Sequence, residues 1–179
     1  MEQMSSNSGV SFPLKDRFNQ KVHAKIRLAK TSNADFIAQL SRNVFRIYGP
    51  YEDAVSQWLE SDLTMTRMAL LDGKYVGFAM IGHLDYDRNF GPVVELLAIA
   101  VEPGKQRMGI GERLLMEIER MAAELKVKRL LLHTARKNFS AQKLFTGKGY
   151  HPWGLKRKFY PAGQDAVLMF KEIDGEGQV

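Results

Sequence analysis

Glu95 is the one charged side chain in the apolar stretch Val93–Val101. A carboxylate set among apolar neighbours is costly unless it is paired or has work to do, which makes it a candidate proton acceptor. The plainer reading is a strand-end carboxylate facing solvent or an arginine. The stretch runs into Glu102-Pro103-Gly104-Lys105-Gln106-Arg107-Met108-Gly109-Ile110-Gly111, after which apolar residues recur at helical spacing. Free N–H groups at a helix start, backed by the helix dipole, attract phosphate oxygens. Gly109 and Gly111 would let such a ligand approach the backbone, and Arg107 adds charge. Two familiar phosphate loops do not fit. Gly104 and Gly109 have the first Walker spacing, but Ile110 and Gly111 stand where Lys and Ser/Thr are required. Leu114 takes the third small position of the dinucleotide fingerprint. Taken alone, the turn could equally be a tight turn.

His133 ends the next apolar run, Leu130-Leu131-Leu132-His133, and its imidazole titrates in a useful range for proton transfer. A hydrogen-bonded strand-end histidine is the alternative, and Glu95 rather than His133 is expected to govern proton removal. His23, His83 and His151 show no ligand spacing and the chain has no cysteine, so no metal is expected. The missing cysteines also exclude a thiolate nucleophile, an iron–sulfur site and a disulfide framework.

Gln-x-x-Gly-x-Gly after a strand, followed downstream by Asn138, Leu144-Phe145 and Gly149-Tyr150, resembles the GNAT superfamily of acetyl-CoA-dependent N-acetyltransferases. The resemblance covers roughly residues 26–172. It implies a single-domain mixed α/β fold, with a central splayed β-sheet flanked by helices. It also implies that the turn Gln106, Arg107, Met108, Gly109, Ile110 and Gly111 cradles the pyrophosphate of acetyl-CoA. The backbone of Ile99, Ala100 and Val101 would pair with the pantetheine arm. A backbone N–H near Ile99 or Val101 would polarise the thioester carbonyl, an oxyanion-type site needing no special side chain. Asn138 matches the position that hydrogen-bonds the cofactor arm, and it also suits a plain helix N-cap.

The same resemblance bears on catalysis. The spacing of Glu95 to the Gly109 turn matches the catalytic glutamate of the histone-acetyltransferase branch. His133 matches the position of a catalytic glutamate in bacterial N-terminal alanine acetyltransferases acting on ribosomal protein. The Phe159-Tyr160-Pro161 segment resembles the hairpin of those enzymes in which a tyrosine pair holds the peptide amine; only Tyr160 of the pair is present. Phe145 stands where many members carry a tyrosine general acid. Protonation of the leaving thiolate would then fall to Tyr160, to water or to nothing at all.

Attack on a thioester requires a neutral amine. At pH 7 a lysine-like amine lies about 3.4 units below its pKa, roughly 4.6 kcal/mol uphill, whereas an α-amine costs about 1.4 kcal/mol. A base therefore matters more for the first acceptor than for the second. The expected acceptor is a peptide or protein N-terminal amine. A small-molecule amine such as a polyamine, amino acid derivative or antibiotic is the alternative, and a non-catalytic acyl-CoA-binding module is the reading outside enzymes.

Positioning these residues takes a mixed set of elements. Lys25–Ala29 alternates as a strand. Thr31 or Ser32 could cap a helix to about Arg46, and a second short helix follows near Tyr51–Ser61. Asp72-Gly73 joins strands Met65–Leu71 and Tyr75–Ile81 in a hairpin. Asp85–Pro92 reads as a loop, Val93–Val101 as a strand, and a long amphipathic helix starts from Gly109. Arg129–Leu132 is a strand and a short helix opens at Asn138. Strands at Tyr150–Tyr160 and Ala166–Phe170 close the order β-α-α-β-β-β-α-β-α-β-β. Residues 1–24 read as an N-terminal arm, 25–173 as the domain and 174–179 as a tail.

With 179 residues, 45% of them hydrophobic, the chain suits one globular domain. Its longest uninterrupted apolar run, Leu96–Val101, is too short to cross a bilayer, and residues 1–20 lack the apolar core of a secretory signal. A soluble cytoplasmic protein, monomer or homodimer, with no membrane partner is expected. The net charge is +6, and residues 91–179 hold 15 Lys/Arg against 10 Asp/Glu. The basic runs Lys126-Val127-Lys128-Arg129 and Lys156-Arg157-Lys158 come with no nucleic-acid-binding module or stacking aromatics, so no nucleic-acid partner is expected.

Overall fold

The computed structural model describes residues 23–61, 63–89 and 91–173. In chain order these form β1 (Lys25–Leu28), α1 (Ala34–Phe45), α2 (Tyr51–Glu60), β2 (Met65–Leu71), β3 (Lys74–Asp87) and β4 (Gly91–Val101). There follow α3 (Ile110–Glu124), β5 (Arg129–Ala135), α4 (Phe139–Thr146), β6 (His151–Lys156) and β7 (Ala166–Glu172). The element order expected from the sequence is the one observed. Four boundaries differ. Neither Thr31 nor Ser32 caps α1; Thr31–Asn33 form a 3-10 turn, and Asn33 precedes the helix with no side-chain cap bond. Asp85–Asp87 and Gly91–Val93 pair as a ribbon rather than forming a loop. The strand expected over Tyr150–Tyr160 stops at Lys156, which leaves Tyr160 in the connection to β7. His133 does not end β5, which continues through Ala135. Of the expected N-terminal arm, residues 1–22 lie outside the described residues, while Ala24 is buried in the core. The expected C-terminal tail also lies outside them.

The seven strands form one sheet in the order β1-β2-β3-β4-β5-β7-β6. All neighbours are antiparallel except β4 and β5, which pair in parallel. That pairing runs only from Val93–Arg129 to Leu96–Leu132. Beyond it β4 continues to Val101 and β5 to Ala135 with no ladder between them, so the sheet opens into a V.

A bulge accounts for the divergence. On β3, Met80 pairs with Ala98 and Ile81 with Leu96, and Leu97 is passed over. The extra residue bends its strand and resets the alternation of side chains. Val94 and Leu96 belong to the core cluster under α3 and α4, and Ile99 and Val101 pack against that same cluster. Leu97 and Ala98, though consecutive, both join the cluster under α1 and α2. The sheet is thus sandwiched between two helical layers. Ile110, Leu114, Leu115 and Ile118 of α3 fill one side, and Ile37, Leu40 and Val55 of α1 and α2 fill the other.

Candidate active site

Pleating and register bring Glu95 and His133 together. Val94 and Leu96 point to the α3 layer, so Glu95 between them points to the α1/α2 layer. On β5, Leu130 and Leu132 point to the α3 layer, so Leu131 and His133 point to the opposite one. Glu95 lies opposite Leu131, one pleat from His133 on the same face. Across that diagonal His133 Nδ1 and Glu95 Oε1 are 2.6 Å apart, and both side chains are mostly buried. A carboxylate accepts, so His133 carries hydrogen on Nδ1. In the neutral ring this leaves Nε2 as an acceptor. The His133 ring stacks flat on Phe159, centroids 4.4 Å apart and 7° from parallel.

Three phenols complete this end of the V. Tyr51 donates from its hydroxyl to the carbonyl of Leu97, the bulge residue, at 3.2 Å. Tyr160 stacks on Tyr48 at 4.6 Å between ring centroids and leans on Tyr51 at 5.7 Å. Burial raises the pKa of both Tyr51 and Tyr160, and the nearby Glu95 charge raises each further. At working pH they are neutral donors. Tyr160 and the Tyr48–Tyr51 turn are thus in direct ring contact.

Backbone contacts pin this cluster. Ala162 N–H donates to the Tyr48 carbonyl at 3.0 Å, and Gln164 Nε2 to the Ile47 carbonyl at 2.6 Å. Gly49 between the two tyrosines has φ +93°, and a Cβ there would meet Pro161 Cβ at 2.8 Å. No other residue type fits that position unstrained.

Asn138 caps α4: its Oδ1 accepts from Ala141 N–H at 3.1 Å, and its Nδ2 donates to the Tyr48 hydroxyl at 3.3 Å. Tyr48, His133, Asn138, Phe145, Tyr160 and Ile99 all line one cavity at the V. The rest of Phe145 is core, packed on Tyr150.

The glycine turn lies at the far end of β4. Gly109 precedes α3 with φ +81°, a left-handed conformation, and nothing stands within 4 Å of where its Cβ would be. Gly109 makes no side-chain cap bond, so it leaves the first amides of α3 without a side-chain partner there. Arg107 also has positive φ, at 60°. Gln106 folds back instead, its Nε2 donating to the Val101 carbonyl at 3.1 Å. Gly111 tolerates a Cβ, whose nearest neighbour would be Leu144 Cδ2 at 3.7 Å. The structure thus gathers Glu95, His133, Tyr160 and Asn138 around one cavity region and leaves the 106–111 turn at the other end of the same strand.

Two contacts could not be read from the sequence: Phe159 as the platform under His133 and Tyr48 as the partner of Asn138 are set by loop packing that no local pattern encodes. Among the described residues no cluster of three or more His, Asp or Glu is arranged to hold a metal, and no helix is long and apolar enough to cross a membrane.

A model of the acetyltransferase (GNAT) family matches residues 33–150. An uncharacterized N-acetyltransferase of Methanocaldococcus jannaschii is 24% identical over 148 residues, covering 82% of this chain and 90% of that protein. Among solved structures, Arabidopsis thaliana NAA60 with a bisubstrate analogue superposes with a TM-score of 0.72 at 20% identity, over 86% of this chain and all of that one. The ribosomal-protein-S18-alanine N-acetyltransferase of Escherichia coli gives a TM-score of 0.65 at 21% identity, over 87% and 97% of the two chains.

Proposed function

The chain belongs to the acetyltransferase (GNAT) family, and on that premise we propose that it moves an acetyl group from acetyl-CoA directly to the N-terminal amine of a peptide or protein. The observation that carries this reading is the Glu95–His133 pair beside the V between β4 and β5. An unpaired β4 edge runs from that pair to a helix start with uncapped amides, which suits a long ligand with a reactive end and a phosphorylated end. A pyrophosphate on Arg107 and the amides after Gly109, and a pantetheine arm along Ile99, Ala100 and Val101, would carry the thioester toward the pair.

The incoming amine gives its proton to the Glu95–His133 pair. His133 lines the cavity, and Glu95, accepting from its Nδ1, holds the ring in the tautomer whose Nε2 can accept. Glu95 also stabilises the imidazolium that forms. A β4 backbone N–H near Ile99 or Val101 steadies the oxyanion. An α-amine fits this modest apparatus, since it needs only about 1.4 kcal/mol to become neutral at pH 7. The likeness to the ribosomal-protein-S18-alanine N-acetyltransferase structure supports a protein acceptor. Incubation with acetyl-CoA and a panel of amines, read as released thiol, tests the reaction. Turnover of α-amine peptides is expected; binding of acetyl-CoA with no turnover of any amine would favour a non-catalytic module.

A further inference from the structure

The leaving thiolate needs a proton, and Phe145, which lines the cavity from α4, has none to give. Three phenols share that cavity. Tyr51 has committed its hydroxyl proton to the Leu97 carbonyl at 3.2 Å. Tyr160 packs edge-on against Phe159, the ring on which His133 stacks. It therefore stands on the side where the amine loses a proton. Tyr48 differs from both. Burial raises its pKa, and a hydrogen bond from Asn138 offsets part of that rise.

The cap of α4 settles the direction of that contact. Asn138 Oδ1 is taken by the Ala141 N–H at 3.1 Å, so the group 3.3 Å from the Tyr48 oxygen is the amide NH₂. An amide NH₂ only donates. Tyr48 is the acceptor in this bond, and its own O–H proton remains available to another acceptor. Asn138 sits at the start of α4, which also carries Phe145, and Tyr48 and Phe145 line the same cavity.

We infer that Tyr48 is the general acid that protonates the departing thiolate. The inference rests on the acetyl-CoA reading above. In the step, the amine nitrogen bonds to the acetyl carbon, and the C–S bond breaks with its electron pair going to sulfur. The Tyr48 proton passes to that sulfur, giving the free thiol and a phenolate that Asn138 Nδ2 holds. The proton taken from the amine resides on the Glu95–His133 pair, and its return to the phenolate through water resets the site. No other reactant is needed.

Bound coenzyme A supplies a test that requires no acceptor. A phenol donating to sulfur favours the thiolate. The ultraviolet thiolate absorbance of coenzyme A bound to the wild-type protein should therefore titrate about one to two pH units lower than when bound to Tyr48→Phe. With acetyl-CoA and an alanine-initiated peptide, Tyr48→Phe should lose on the order of 10²-fold in kcat with little change in KM for acetyl-CoA. Tyr48→Phe/Phe145→Tyr should recover at least about tenfold of that loss, which repair of mere packing would not do. An unchanged thiolate titration in Tyr48→Phe overturns the inference whatever happens to kcat. Failure of the wild-type protein to bind coenzyme A at all is a different result and overturns the cofactor reading itself.

Discussion

His133 Nδ1 meets Glu95 Oε1 at 2.6 Å across the last paired pleat of β4 and β5, just before the strands part. The sequence offers these residues as rival proton acceptors, yet they are one unit. Their removal should accordingly be non-additive. Glu95→Gln and His133→Ala should each lower kcat on the order of 10²-fold or more with little change in KM for acetyl-CoA, and the double variant should be scarcely worse than either single. Losses that multiply would mean the two act separately. If both variants stay active, the amine arrives neutral from solvent and the site contributes positioning alone.

The turn before α3 should hold the pyrophosphate. Gly109→Asp would place a carboxylate among the phosphates at a position where nothing of the protein stands within 4 Å of the new Cβ. The fold should survive and coenzyme A affinity should collapse. Calorimetry showing wild-type affinity in a folded Gly109→Asp protein would remove the turn from the site.

Gly49 locks the aromatic cluster. Alanine there meets Pro161 and must adopt a left-handed φ, for a combined cost of roughly 1–3 kcal/mol. A melting temperature lowered by several degrees is expected, together with reduced peptide turnover as Tyr48 and Tyr160 come apart. Unchanged melting would show that the loop yields without strain.

Much of this was legible in the chain. The Asp72-Gly73 hairpin, the helical spacing of α3 and the cap at Asn138 are local patterns, and each appears where it was expected. The 85–92 segment was not legible. Its polar residues suggest a loop, but backbone pairing carries the ribbon into solvent, where Tyr86 is 70% exposed. Nor was the bulge, because Leu96 to Val101 is uniformly apolar and hides which side chains share a face. Glu95 and His133 stood out singly; their contact depends on a parallel register that begins by pairing Val93 with Arg129, 36 residues further along the chain.

Surface charge offers a pH test. Arg120 and then Arg67 hydrogen-bond Glu117, at 2.8 Å and 3.1 Å, and hold its carboxyl below the usual range. Ionised Glu117 therefore stabilises the fold above its unfolded pKa of about 4.3, and the contribution fades as pH falls through the lower folded value. Glu117→Gln should cost no more than about 1 kcal/mol at pH 7. The gap to wild type should close toward about pH 3. A gap that persists in acid, measured by urea unfolding, would assign the loss to packing.

Acetyl transfer to an α-amine is read directly from a mass-spectrometric map of the product. A peptide with a free N-terminus and an internal lysine is incubated with acetyl-CoA and the protein, alongside the same peptide blocked at its α-amine. One acetyl group is expected on the α-amine of the free peptide, and none on the blocked one. Acetylation of the internal lysine in both peptides, or of a free polyamine in preference to either, would contradict transfer to the α-amine.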